Sequence, residues 1–353
     1  MPNPADSDPF KRVALPSSRR LDNPTGSSFR EFCQSATQKE FLGAIPELAA
    51  LIKRTGADYW WMAAEVRLAF EAHGLHVTQD TFYSPLLNSA QLTEHYNNLR
   101  DGLIPAAARL CDAGRFHRKW REVCRFVREM ADIPRQAAEG YYWDNAVFPN
   151  LDALIYHCII RAQRPERVIE VGAGFSTHVA ARALQKNGEG ELHVIEPHPT
   201  PKLFELIGRR ISLHQEMVQQ VPDRVFDVLR PGDVLFIDSS HVSKTGSDLN
   251  HIMFSVLPRL PRGILLHFHD IFLPYEYPTD WTLGRGWAWN EQYLRLAWLM
   301  SNSDRSPILG THALVRHHRD SVAWDLDGMD IGPLSGGVIL GPVRTPARAQ
   351  FEH

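Results

Sequence analysis

At 353 residues with 44% hydrophobic content, the chain is long enough for one large domain or two smaller ones, each with a proper core. A formal charge of -3 excludes the basic excess that a long nucleic-acid track needs, and no run of 18 apolar residues offers a membrane span. Cys33, Cys111, Cys124 and Cys158 show no C-x-x-C spacing and the amino terminus has no apolar leader, so buried thiols and a cytoplasmic setting are expected.

In chain order, residues 1–27 are rich in Pro, Ser, Asp and Arg and are expected to form a flexible tail, because they cannot bury enough surface to offset the entropy of ordering. Residues 28–140 read as a helical cap or lid domain. Met62, Val66, Ala69 and Phe70 share one helical face, and Trp120, Val123, Val127 and Met130 share another. Between them HVTQDTFYSPLLNS, with Pro85 and Asn88, reads as a loop.

Residues 141–353 alternate strands and helices. A helix over 151–163 leads into strands at 167–171, 191–196, 211–214, 233–238 and 263–268, with a terminal pair near 307–315 and 334–341. Leu249, Ile252, Met253, Val256 and Leu257 form an apolar stripe on the helix after the fourth strand. The pattern predicts an α/β fold: a doubly wound, mainly parallel, seven-stranded sheet whose ligands bind at the carboxyl ends of the strands.

The stretch RVIEVGAGFST at 167–177 is the most informative. Val168 to Val171 suit a buried strand, and Gly172 and Gly174 allow a tight turn where side chains would block a ligand. Glu170, inside that run, needs a cation or donors, and a ligand ammonium would serve. Thr177 stands where a dinucleotide fingerprint has its third glycine, which argues against NAD. The next strand ends in Glu196, about 20 residues past the turn, where an acid accepts from ribose hydroxyls. Together these residues resemble the S-adenosylmethionine site of class I methyltransferases. The resemblance implies that Glu170, Gly172, Gly174, Ser176, Glu196 and Asp238 hold the cosubstrate.

Strand four, DVLFID, ends in Asp238 and is followed by Ser239, Ser240 and His241. Strand five, ILLHFHD, ends in His269 and Asp270, with His267 on the same face as His269. Two mechanisms fit. A histidine, His241 first, acts as general base with a carboxylate orienting it; or a divalent metal held by Asp238, Asp270 and His269 grips the acceptor's oxygens. His267 reads as a satisfied core histidine and His251 as structural or exposed, while Glu216 is a weak candidate for adenine or ribose. Most of the aromatic residues in YYWDNAVF and WAWNEQY read as packing, with Asn145 and Asn290 as candidates for acceptor contact.

D-x-S-H at Asp238 to His241 is similar to metal-dependent sugar O-methyltransferases of macrolide pathways, where the Asp is a metal ligand and the His the base. Those enzymes carry an acidic pair at the end of strand five, whereas this chain has His269 and Asp270. The succession RVIEVGAGFST, VIEPHP, VLFIDSSHVSKTGSDLN, LLHFHDIFLPYEYP and WNEQY resembles methyltransferase family 24 over about 140–341. This resemblance implies the fold and the cofactor but not the acceptor; with the strand-end residues, the expected activity is methylation of an oxygen on a sugar or other small hydroxylated metabolite in polysaccharide or natural-product biosynthesis, with His241, His269 and Asp270 as catalytic candidates. Two rivals stay open: S-adenosylmethionine used as aminocarboxypropyl donor or cyclised with release of methylthioadenosine, and a non-catalytic binding protein. A homodimer is the base-rate expectation, with neither nucleic acid nor membrane as partner.

Overall fold

The computed structural model describes residues 37–56, 64–136, 140–332 and 336–343, apart from Gln79, Phe82 and Arg209. The tail expected over 1–27 lies outside the described residues. The chain divides into two compact units, Met1–Leu87 and Asn88–His353. In the first, α1 (Gln38–Gly56) and α2 (Ala64–Glu71) are described. The stripe expected on α2 is not core: Val66 and Phe70 are half-buried and Ala69 is exposed, and Met62 lies outside the described residues. No helix among the described residues is long and apolar enough to cross a membrane.

The second unit holds one seven-stranded sheet in the order β3-β2-β1-β4-β5-β7-β6. The strands are β1 (Arg167–Val171), β2 (Glu191–Ile195), β3 (Ile211–His214), β4 (Val234–Ile237), β5 (Leu265–His269), β6 (Arg305–Gly310) and β7 (Gly337–Pro342). β1 to β5 run parallel, and β7 is antiparallel to both β5 and β6. The strand expected over 307–315 ends at Gly310, and a helix, α9 (Thr311–Asp325), takes over at once. The apolar run ILGTHALV does not distinguish strand from helix by composition, so the chain's change of course at Gly310 is set by its packing.

Strand alternation builds two cores. Val194, Phe236 and Ile339 face one side, against α5 (Asn150–Gln163) and α6 (Phe175–Asn187); Ile169, Leu235, Ile237 and Phe268 face the other, against Leu249, Ile252 and Met253. The predicted stripe at 249–257 is buried throughout, on a short helix, α7 (Asp248–His251), that continues through wider and then tighter turns to Arg259. Trp120, Val123, Val127 and Met130 are also fully buried. They lie on α4 (Ala113–Val123) and the turn after it, start from an Asp112 cap that accepts from the Arg115 N–H at 3.1 Å, and share the core of α5. One further helix before them, α3 (Ser89–Asn98), begins with an Asn88–Gln91 capping box.

Candidate active site

Register brings the site together. Val171 pairs with Ile195 on one side and Ile237 on the other, and Ile237 pairs with Phe268, so the next residues along, Glu196, Gly172, Asp238 and His269, form one row at the carboxyl rim. Backbone bonds extend the ladder to that row: Gly172 donates to Ile195 O at 2.9 Å and Asp238 to Val171 O at 2.9 Å. Strand order reverses between β1 and β4, which is where an open α/β sheet leaves a crevice.

The two glycines do different work. Gly172 has φ +87°, and a Cβ there would lie 1.9 Å from Asp238 O, so only glycine fits. Gly174 is extended, and a Cβ on it would meet nothing within 4 Å, so its side faces open space. Its N–H donates to Thr177 Oγ1 at 3.2 Å, which caps α6. Beside the turn lies a cleft of about 220 Å³ lined by Gly172, Glu196, Met217, Gln219, Asp238 and Ser240, among others. Glu196 accepts from Ala173 N at 3.1 Å and His198 N at 2.7 Å, so its carboxylate is fixed at the cleft edge. Glu216 is exposed and does not line the cleft.

Glu170, two residues before Gly172, turns into the α5 face. It is fully buried and accepts from Tyr156 OH at 2.9 Å. Burial pushes it up to about 7, against the bond from Tyr156 that favours its charge.

On the other side of the row, four titratable groups converge. His241 Nε2 lies 3.3 Å from Asp238 Oδ1 and 3.7 Å from Asp270 Oδ2; His269 Nδ1 lies 3.4 Å from each of the same two carboxylates. Both imidazoles are buried, while the Asp238 side chain stays about a third exposed, 32%, and so opens the cluster to the cleft. Burial works against charge on His241, but Asp238 and Glu291 outweigh it and raise the imidazole to about 10. His269 behaves alike: burial lowers it, and Asp270 and Asp238 carry it well above its ordinary value. For Asp238 burial is again opposed, here by His269 and His241, which hold its carboxyl below the usual range. His241 and Asp270 both adopt the left-handed backbone, with φ +59° and +54°, a cost of about 1–3 kcal/mol each that the surrounding contacts must offset.

Asp238, His241 and Asp270 each offer one ligand atom, all within 4.8 Å of one another, so the structure groups His241 with the two acids where the sequence suggests His269. The donor types suit a divalent ion. Both carboxylates also face imidazoles whose cationic form burial opposes and the acids favour, so an ion at this place would displace the proton from His241.

The two asparagines hold loops. Asn145 donates to Tyr142 O and Phe148 O and accepts from the Val147 and Phe148 N–H groups, shaping the loop that lays Phe148 over His269, with 5.0 Å between rings. Asn290 accepts from Ser243 N at 2.6 Å, beside the start of α8 (Glu291–Ser301). His251 is half-buried. His267 is buried as expected, but not satisfied: neither ring nitrogen has a hydrogen-bond partner among the described residues, and burial lowers it to about 3.

Three residues are not singled out by sequence reasoning. Glu291 bonds His241 Nδ1 at 2.9 Å, Trp289 lies against the same imidazole with 4.2 Å between rings, and buried Asp152 on α5 lies 3.4 Å from His269 Nε2. The signal for Glu291 is an acid and Arg295 one turn apart on an otherwise apolar helix.

Fold and rim together give a doubly wound α/β sheet with a glycine turn and an acid at the carboxyl ends of its first two strands. Residues 169–271 match the family model described as a methyltransferase domain, the group numbered 24. An uncharacterised protein of Archaeoglobus fulgidus is 39% identical over 93 residues, 25% of this chain, and the chain spans 42% of that relative's length. Among solved structures, the O-methyltransferase TomG of Streptomyces achromogenes, involved in tomaymycin synthesis and solved with S-adenosylmethionine, aligns with 72% of this chain and 96% of its own at 15% identity, TM-score 0.36. An O-methyltransferase of Bacillus cereus, solved with S-adenosylhomocysteine, aligns with 72% of this chain and 97% of its own at 12% identity, TM-score 0.34. Structural likeness at this level carries no argument for this chain.

Proposed function

We propose that the protein is an S-adenosylmethionine-dependent methyltransferase that acts in the cytoplasm on an oxygen of a small hydroxylated acceptor, a sugar or related metabolite. The observation that carries this reading is the rim row itself: Glu196 and the Gly172 turn on one side of a cleft, and Asp238 joining that cleft to the imidazole cluster on the other. Glu196 accepts from the ribose hydroxyls, and the open side of Gly174 leaves room for the amino-acid end of the cosubstrate. Glu170, held by Tyr156 behind the turn, in its ionised form offers the charge that an ammonium seeks.

In the reaction the acceptor oxygen forms a bond to the methyl carbon while the carbon–sulfur bond breaks, its electron pair going to sulfur. The acceptor proton passes to His241 Nε2, which must first have given up its own. A sulfonium brought against the same rim opposes a neighbouring imidazolium and lowers its pKa toward the working range. His269 and Asp270 hold Asp238 and the charge balance around that transfer.

Calorimetry with S-adenosylmethionine and S-adenosylhomocysteine tests the reading, with Glu196→Ala expected to weaken binding roughly 10–100-fold, the worth of hydrogen bonds to a charged group. Incubation with a panel of glycosides should release S-adenosylhomocysteine. Release of methylthioadenosine would replace methyl transfer with chemistry at the aminocarboxypropyl chain, and no heat with either nucleoside would remove the reading altogether.

A further inference from the structure

We infer that Glu291 is the positioning residue of His241: it holds the Nδ1–H of the imidazole, so that Nε2 is the nitrogen presented to the rim. The inference rests on the methyltransferase reading for its purpose, though not for its geometry.

Three contacts carry it. His241 Nδ1 and Glu291 Oε2 are 2.9 Å apart, and both side chains are almost wholly buried, so water does not compete for the bond. The other oxygen, Oε1, accepts from Arg295 Nε at 3.0 Å and Nη2 at 2.7 Å. Arg295 is itself fully buried, with its guanidinium 3.8 Å from the centroid of the Phe268 ring. A carboxylate gripped in this way cannot swing toward the cleft, and its free oxygen has one direction to face. The backbone repeats the arrangement, since the N–H groups of Asn290 and Glu291 both donate to His241 O, at 3.1 and 3.2 Å. Trp289 then covers one face of the imidazole.

The consequence is a choice of tautomer. Asp238 and Asp270 on the rim side both face Nε2, and among the described residues Glu291 is the acid that faces Nδ1. When His241 carries a single proton, two acceptors compete for it on one side and one on the other. The nearest and driest of the three is Glu291, so the proton stays on Nδ1 and the lone pair points at the rim. A second-layer carboxylate that orients an imidazole works by the same physics in other catalytic constellations.

Nitrogen-detected spectra of the full chain labelled with 15N-histidine test this without an acceptor. The unsubstituted protein should show protected ring N–H signals from its buried histidines, His157, His267 and His269 among them, and the one lost on His241→Asn is assigned to His241. Two double variants separate orientation from charge, since both replace the buried pair with neutral groups of similar volume: Glu291→Gln with Arg295→Met keeps an acceptor for Nδ1, and Glu291→Met with Arg295→Met removes it. The His241 signal should survive in the first and vanish in the second. No protected signal that His241→Asn removes, or an unchanged His241 signal in the second double variant, overturns the inference. Calorimetry with S-adenosylhomocysteine on the same samples is the separate test of the site's function: a failure there with the nitrogen result intact sinks the methyltransferase reading and leaves the positioning role standing.

Discussion

Glu291 and His241 share a 2.9 Å hydrogen bond across fifty residues of chain, and it ties the loop after β4 to the first residue of α8. Because Arg295 neutralises the far side of Glu291 inside the core, the bond is one end of a buried charge network.

Removing one member of that network should cost more than removing both. Glu291→Ala leaves Arg295 buried without a partner and is expected to destabilise the protein by roughly 3–5 kcal/mol, whereas Glu291→Met with Arg295→Met should lie within about 2 kcal/mol of the unsubstituted chain. Urea midpoints at pH 7 read the difference. Equal losses in the two variants would show that the pair does not act as a unit.

Gly172→Ala should damage both the fold and the cleft. Its Cβ would stand 1.9 Å from Asp238 O at a φ of +87°, so β1 and β4 must part at the rim. A loss of at least about 2 kcal/mol is expected from the backbone conformation and the clash together. Gly174→Ala, with no atom within 4 Å of its Cβ, should melt like the parent and yet bind S-adenosylhomocysteine more weakly.

Glu170 should make the protein less stable as pH rises. Its value in the fold, about 7, exceeds the ordinary 4.5, so below pH 4.5 both folded and unfolded chains are protonated and the group is neutral in its effect. Between pH 4.5 and 7 the unfolded chain ionises first, and stability falls by about 3 kcal/mol, a deficit that stays constant above pH 7. Glu170→Gln should lack this slope. Denaturation series at pH 5 and pH 8 on both proteins check it, and parallel pH dependences would contradict the buried, partly protonated carboxyl.

His267 acts in the acid range with the opposite sign of slope. Burial first, and then His269, lower it from 6.5 to about 3, so its contribution is complete above pH 6.5 and is lost as pH falls toward 3. His267→Leu places an apolar group beside Tyr156 and Phe236, where the ring nitrogens have no hydrogen-bond partner among the described residues. The variant should be the more stable of the two by about 3 kcal/mol at pH 4. His157 and His312, each lowered by burial to about 4, add to the same acid slope, so the variant should flatten part of it and not all.

Much of the sheet was legible because its signals are contiguous. The runs ending in Val171, Ile195, Ile237 and His269 are short, apolar and followed at once by Gly172, Glu196, Asp238 and Asp270, so strand and rim residue are read from the same few letters. Asn145 and Asn290 show the limit: a polar residue in an aromatic stretch can contact a ligand, hold its own loop or do both, and only the backbone groups around it reveal that each of these two holds its loop.

What the amino-acid order determined alone is the α/β alternation, the glycine turn and the set of carboxylates and imidazoles at strand ends, since each depends on neighbours within a turn or a strand. What the tertiary structure decided is which of them meet. That His241 faces Glu291 on one nitrogen and two aspartates on the other, that His269 reaches Asp152, and that Gly172 is irreplaceable where Gly174 is open all depend on elements far apart in the chain. Sheet register and helix packing set those distances, and no local periodicity encodes them.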